Sequence, residues 1–353
     1  MNLKEYFNIQ KEILTSHIIK YLEIKGYWDK DLIFINDSTK KLEKFVTNGK
    51  MLRGIQVMLS FEMFGNIVSL KELNAAAAIE LVHSALLTHD DIMDNDYTRR
   101  GNPTIFAQYL NDGNKANYSD YNLYGISQGI SVGDIAIFMG NELLGMSTSD
   151  NEIFSKLNTF YSNELIRVGA AQMQDVFYGH DSFEQSTKDI LTVYNYKSGR
   201  YSFSLPLVMG AILAHQTDET ISNLEIFGEK LGIIFQIKDD EIGIFGDEET
   251  IKKPVGSDIR ENKKTIFRSV LFSLLDESER EEMKLIFGNK NIELSDVKEV
   301  RSKLEKYKVL EIVSADIDKL VKDSVEIIKK LPVSSLYKDL LNQLVVFNLF
   351  RKS

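Results

Sequence analysis

The sequence predicts an all-α protein, and three observations carry the prediction. Apolar residues recur at spacings of three and four along most of the chain, which is the period of a helix with one buried face. Sustained alternation of apolar and polar residues, the mark of a strand, is hard to find. The four prolines stand at 103, 206, 254 and 332, so long stretches rich in Leu, Ile, Lys and Glu run free of helix breakers. At 353 residues and 43% hydrophobic content, the chain can bury a full core as one large domain or two ordinary ones.

Taken in order, the first legible helix start is Ser69 with Glu72 three residues on, a capping-box pattern. It opens an apolar run from Ala75 to Thr88 that carries Glu80 and His83 and leads into an acidic cluster. Two segments read as loops: Asn111 to Tyr124, rich in Asn, Gly, Asp, Ser and Tyr, and Gly246 to Asn262, where Gly and Pro interrupt a charged stretch. Neither has the composition of an interdomain linker, and no repeat of fixed period is found. One continuous helical domain over residues 1–353 is the simplest organisation.

The formal net charge of -10 repels a phosphate backbone, and no Lys/Arg block supplies a basic face, so nucleic acid is not an expected partner. The absence of cysteine excludes disulfides, thiolate nucleophiles and Cys-ligated zinc. Met1 to Tyr6 lacks an apolar signal core, and no later apolar run approaches the ~20 residues of a membrane span. A cytoplasmic protein is expected.

Chemistry concentrates in a few places. In Asp90-Asp91-Ile92-Met93-Asp94 the three carboxylates fall on one helical face. Like charges so close require a counter-ion, and hard oxygen ligands without Cys suit magnesium bound together with phosphate. A solvated acidic helix end would carry the same residues. A second pair, Asp239-Asp240, follows the apolar stretch Leu231 to Ile237. Acids at a helix C-terminus oppose its dipole, so two such clusters point more strongly to bound cations. Bases accompany them: Lys50 and Arg53, then Arg99 and Arg100, then Lys197, Lys253 and Lys263. Magnesium with Lys and Arg is a way to hold diphosphate, whereas no Walker-type glycine loop is present for a nucleotide. Glu80 and His83 have the Glu-x-x-His spacing of di-iron bundles, but none of the other histidines repeats it. His83 reads instead as a core residue or as a group two turns below Asp90.

Together these residues resemble the trans-isoprenyl diphosphate synthase, or polyprenyl synthetase, family over nearly the whole chain. Gly49 to Arg53 resembles its Gly-Lys-x-x-Arg element, and Glu80 to Gly101 its first aspartate-rich region. Gln172 and Asp175 resemble the Gln-x-x-Asp element, Lys197-Ser198-Gly199 the Lys-Thr-Gly element, and Phe235-Gln236 with Asp239-Asp240 the second aspartate-rich region. Lys253 to Thr265 completes the series.

The resemblance implies a single-domain isoprenoid-synthase helical bundle with a central active-site cavity, working as a homodimer. It implies that Asp90, Asp91, Asp94, Asp239 and Asp240 hold Mg2+, three ions when an allylic diphosphate is bound, assisted by Arg99, Lys197 and Lys253. Gln172 and Asp175 fall beside that site, and Lys263 adds to the phosphate field. Lys50, Arg53, His83 and Arg100 would bind the diphosphate of isopentenyl diphosphate. Ionisation of the allylic carbon–oxygen bond then gives a cation steadied by Ser198 and Gln236, attack by the isopentenyl double bond, and loss of a proton to the departed diphosphate.

Three departures from the family pattern stand out. Gly243 occupies the place of a third aspartate in the second region, Ser198 replaces Thr while keeping the hydroxyl, and Asn111 to Tyr124 is longer than usual. Product length should follow from side chains one and two turns before Asp90, namely Val82, Ala85 and Leu86. Family members that stop early carry an aromatic residue four or five positions before the first aspartate; Ala85 and Leu86 stand there. The expected product is geranylgeranyl diphosphate, with farnesyl or longer products as alternatives. A terpene cyclase is disfavoured because it needs no isopentenyl pocket, and a regulatory subunit because such subunits lose the acidic motifs.

Overall fold

The computed structural model describes residues 2–181, 183–246 and 256–351. The expected all-α fold is found: the sole sheet among these residues is a hairpin of two-residue strands. In chain order the helices are α1 (Leu3–Gly26), α2 (Ile33–Thr47), α3 (Leu52–Glu62) and α4 (Leu70–Met93). The hairpin, β1 (Thr98–Arg99) and β2 (Asn102–Pro103), follows, then α5 (Ile105–Lys115), α6 (Tyr121–Gly145), α7 (Asn151–His180) and α8 (Thr187–Val193). A π-helix (Tyr194–Ser204), α9 (Leu205–Leu213) and α10 (Asp218–Phe245) come next, and shorter helices continue to Leu349. The chain divides into two compact units, Met1–Asn158 with Val208–Gln216, and Thr159–Leu207 with Thr217–Ser353.

In the first unit α4 packs against α3 and α6, and α5 against α6. The capping box at Ser69 forms as predicted, the Ser69 N–H donating to Glu72 Oε2 at 2.8 Å. Ala75 to Ile79 are fully buried on every side of α4, so this helix is a core element, and the carboxylates at its end are held in place by it.

In the second unit α10 packs against the π-helix and against Val309–Lys330. Ile234, Ile237, Phe267, Leu271, Val300 and Val313 join in its core, each buried side chain stabilising by roughly 1.5–3 kcal/mol. The π-helix and α10 approach so closely that a Cβ on Gly232 would collide with the Cα of Gly199. That contact sets the register in which their polar side chains meet.

Two sequence expectations are corrected. The segment expected as a loop from Asn111 to Tyr124 is mostly helix: α5 runs to Lys115 and α6 starts at Tyr121, with Asp120 capping Leu123 N–H at 2.9 Å. Polar residues at a helix end and a helix start look like loop composition, and the tyrosines pack instead, Tyr118 edge-on to Tyr124 at 4.9 Å. Asp239 and Asp240 do not end their helix, because α10 continues to Phe245. Ile244 extends the buried face past the acids, which periodicity around a charged pair does not reveal. In the other expected loop, Ser257–Arg260 is a short helix; residues 247–255, including Lys253, lie outside the described residues.

Candidate active site

The first cluster is built at the C-terminus of α4. Asp91 is fully buried and pairs through Oδ1 with Arg99 Nε at 2.5 Å. Its other oxygen, Oδ2, is buried with no hydrogen-bond partner. Burial pushes the Asp91 carboxyl up to about 6; Arg99 opposes this and the neighbouring Asp96 and Asp90 reinforce it. Asp90 lies 3.8 Å from Arg99 Nη2, and Asp94 is the exposed C-cap of α4, its N–H on the Asp90 carbonyl at 2.9 Å. A buried carboxylate oxygen without a partner among repelling acids is the setting in which a divalent cation lowers the energy of the charged form.

Arg99 and Arg100 are delivered by the hairpin. Arg100 and Gly101 both have positive φ, 53° and 75°, as a type I′ turn requires of its central residues. A Cβ on Gly49 would stand 3.0 Å from Arg100 Nη1, so the glycine of the Gly49 to Arg53 element is what lets this guanidinium lie against the α2–α3 connection. Lys50 follows in that connection with its side chain exposed. An open cavity of about 500 Å³ is lined here by Lys44, Asn48, Arg99, Arg100, Asn102 and Gln108, among others. The sequence pattern had no reason to single out Lys44 or Gln108.

Glu80 has a role other than metal ligation. It is buried and accepts the Gly54 N–H at 2.8 Å, which satisfies an otherwise orphaned amide in the first turn of α3. Burial pushes its carboxyl up, while Arg53, the α3 amides and Arg100 counter that. Glu80 thereby sets the helix start that carries Arg53. Burial, together with the charges of Arg53, Arg100 and Arg99, holds His83 well below the ordinary imidazole value, which favours the neutral ring. Val82 and Ala85 are buried, Val82 packing where α4 passes Gly140 of α6, and Leu86 is partly buried.

The second cluster lies where the π-helix crosses α10. Ser198 Oγ donates to Gln236 Oε1 at 2.6 Å, and Gln236 Nε2 donates to Asp240 Oδ1 at 2.9 Å. Tyr194 donates its hydroxyl to Asp240 Oδ2 and accepts the Ile266 N–H at 2.9 Å. Asp240 is buried, and burial, with Asp258 and Asp239 nearby, pushes its carboxyl well up against those two hydrogen bonds. Asp239 is open to solvent and pairs with Arg351 at 3.0 Å, whose guanidinium covers the Phe235 ring at 3.9 Å. Lys197 reaches Asp175 at 2.5 Å, with Gln172 one turn earlier on α7. Lys263 lies 3.5 Å from Asp258; burial opposes its charge, but Asp258 and Glu261 raise it overall.

Gly243, read as a missing aspartate, faces Asp258: a Cβ there would lie 2.5 Å from Asp258 Oδ2. A carboxylate distant in sequence thus takes the space that a side chain at 243 would use. Tyr194, Asp258 and Arg351 were not legible as site residues, since each arrives through tertiary packing. Among the described residues no group of three His, Cys, Asp or Glu side chains is placed to hold a metal ion by itself.

Carboxylate pairs at the end of α4 and within α10, with Arg and Lys side chains beside them, are groups able to hold metal ions together with phosphate. The polyprenyl synthetase family model matches residues 37–304. The chain belongs to that family, a group of prenyltransferases that make isoprenyl diphosphates. It is similar to the short chain isoprenyl diphosphate synthase of Methanocaldococcus jannaschii, 31% identical over 277 residues and 78% of each chain. It is also similar to the geranylgeranyl diphosphate synthase of Saccharolobus solfataricus, 29% identical over 86% of this chain and 87% of that one. Among solved structures, geranylgeranyl pyrophosphate synthase from Corynebacterium glutamicum, complexed with isoprenyl diphosphate and magnesium, shares the fold with a TM-score of 0.90. That match covers 99% of this chain and all of that one at 24% identity.

Proposed function

We propose that this chain is a magnesium-dependent trans-prenyltransferase that condenses isopentenyl diphosphate with an allylic diphosphate, giving a linear product of geranylgeranyl length. The observation that carries the magnesium reading is Asp91, a buried carboxylate with one oxygen unpartnered beside Asp90. Asp90, Asp91, Asp94, Asp239 and Asp240 are the residues that would hold Mg2+, three ions by family resemblance. When bound, the ions supply charge neutralisation of the leaving diphosphate.

The chain's own groups do the rest. Arg99, Lys197 and Lys253 bind the allylic diphosphate, with Gln172 and Asp175 beside it and Lys263 adding positive field; Asp175 already steers Lys197. Lys50, Arg53, His83 and Arg100 bind the isopentenyl diphosphate, the neutral His83 by hydrogen bonding and the guanidiniums by forked donation. Ser198 and Gln236, already joined to one another, turn their oxygen dipoles to the allylic cation. The proton lost after carbon–carbon bond formation goes to the departed diphosphate.

Product length is supported by the small Ala85 about one and a half turns below the carboxylates and by the names of archaeal relatives. Residues 1–353 act as one polyprenyl synthetase domain, in line with a family match that runs through both compact units. A homodimer forms through the outer face of α6, where Leu123, Ile130 and Phe138 expose large apolar side chains at helical spacing. No helix among the described residues is long and apolar enough to cross a membrane, and a cytosolic enzyme suits a chain without cysteine.

The test is incubation of purified protein with magnesium, labelled isopentenyl diphosphate and each of dimethylallyl, geranyl and farnesyl diphosphate. Elongated prenyl diphosphate that disappears with EDTA is expected. No condensation with any primer would replace this reading by a regulatory subunit, and cyclised hydrocarbon without isopentenyl incorporation by a terpene cyclase.

A further inference from the structure

The π-helix brings to Asp240 a side chain that no motif assigns. Tyr194 is buried, its hydroxyl donates to Asp240 Oδ2, and its oxygen accepts the Ile266 N–H at 2.9 Å. Ile266 opens the helix Ile266–Leu274, whose Phe267 and Leu271 belong to the core of this unit. Tyr194 is thus a strut between a rigid helix start and one oxygen of Asp240. The other oxygen is held by Gln236, which Ser198 holds in turn. With both oxygens engaged, Asp240 has one orientation, and its lone pairs point where four secondary contacts dictate.

We propose that Tyr194 is a positioning residue for magnesium: by fixing Asp240 against the Ile266 amide it presets the second carboxylate pair for the ion, so that little ordering remains for binding to accomplish. The inference rests on the reading that Asp239 and Asp240 hold magnesium. It assigns Tyr194 no contact with substrate. Other groups facing Asp240 do not replace the strut, because Asp239 and Asp258 repel it, Lys263 attracts it only through its charge and Gln236 reaches only Oδ1.

The experiment is titration of the whole protein with Mn2+ as a spectroscopically visible stand-in for magnesium, in the presence of inorganic pyrophosphate, read by electron paramagnetic resonance. Tyr194→Phe keeps the shape and removes the donor, and half-saturation is expected to rise about ten-fold, the scale of one hydrogen bond to a charged group. In an Asp240→Asn background the same change should add nothing, since Tyr194 acts through that carboxylate. A loss of thermal stability in Tyr194→Phe with unchanged Mn2+ half-saturation overturns the proposal, as does a full additional effect in the Asp240→Asn background. Asp239→Asn is the control: if it leaves Mn2+ binding intact, the metal reading itself falls and the role of Tyr194 with it. If Tyr194→Phe does not fold, Tyr194→His, which retains a ring donor, must bind Mn2+ more tightly than Tyr194→Leu for the proposal to stand.

Discussion

Gly243 and Asp258 share one space: a Cβ on the glycine would stand 2.5 Å from the aspartate's Oδ2. Restoring an aspartate at 243 therefore does not restore a ligand. Gly243→Asp should destabilise by about 1–3 kcal/mol through overpacking and place a further like charge beside Asp240. Gly243→Ala should lower activity by moving the Asp258 carboxylate, with a smaller stability loss. Thermal melts and prenyl transfer rates of both variants check this; a Gly243→Asp protein as active as the parent would show that Asp258 yields freely.

His83 is held neutral by burial and by Arg53, Arg100 and Arg99, so a neutral hydrogen-bonding substitute should serve. His83→Gln is expected to leave KM for isopentenyl diphosphate nearly unchanged, whereas His83→Ala raises it by roughly ten-fold, one hydrogen bond to an anion. The folded-state value lies below the ordinary one, so the charged ring is disfavoured and no rate step from His83 should appear between about pH 6 and 8. A step in that range that vanishes in His83→Gln would contradict the neutral assignment.

Ala85 is fully buried one turn and a half before Asp90 on α4. Ala85→Phe should shorten the product toward farnesyl length, read by chromatography of the dephosphorylated prenyl alcohols. An unchanged distribution would move the floor of the product tunnel elsewhere.

Arg351 occupies Asp239 and covers Phe235, so it neutralises the carboxylate that magnesium would otherwise neutralise. Arg351→Ala should tighten Mn2+ binding about two-fold while removing a cation–π contact of roughly 0.5–1 kcal/mol, a loss visible as a slightly lower Tm. Weaker Mn2+ binding in this variant would mean that Arg351 supports the ion's ligands instead of competing with it.

Sequence alone determined the all-α class, because helical period and the near absence of proline are local properties that each turn expresses by itself. It also determined the family, because the Asp90 and Asp239 clusters and their bases lie in short ordered motifs. It misjudged Asn111 to Tyr124 and the end of α10, where polar residues sit inside helices whose length is decided by packing. What only tertiary structure decided are the partnerships across distance: Glu80 capping α3, Arg100 resting on Gly49, Tyr194 between Asp240 and the Ile266 amide, Asp258 in the space beside Gly243. Each joins residues many positions apart, and such contacts are chosen by which helix faces interlock, an outcome of core burial summed over a whole unit. No residue pattern within a single window carries that information.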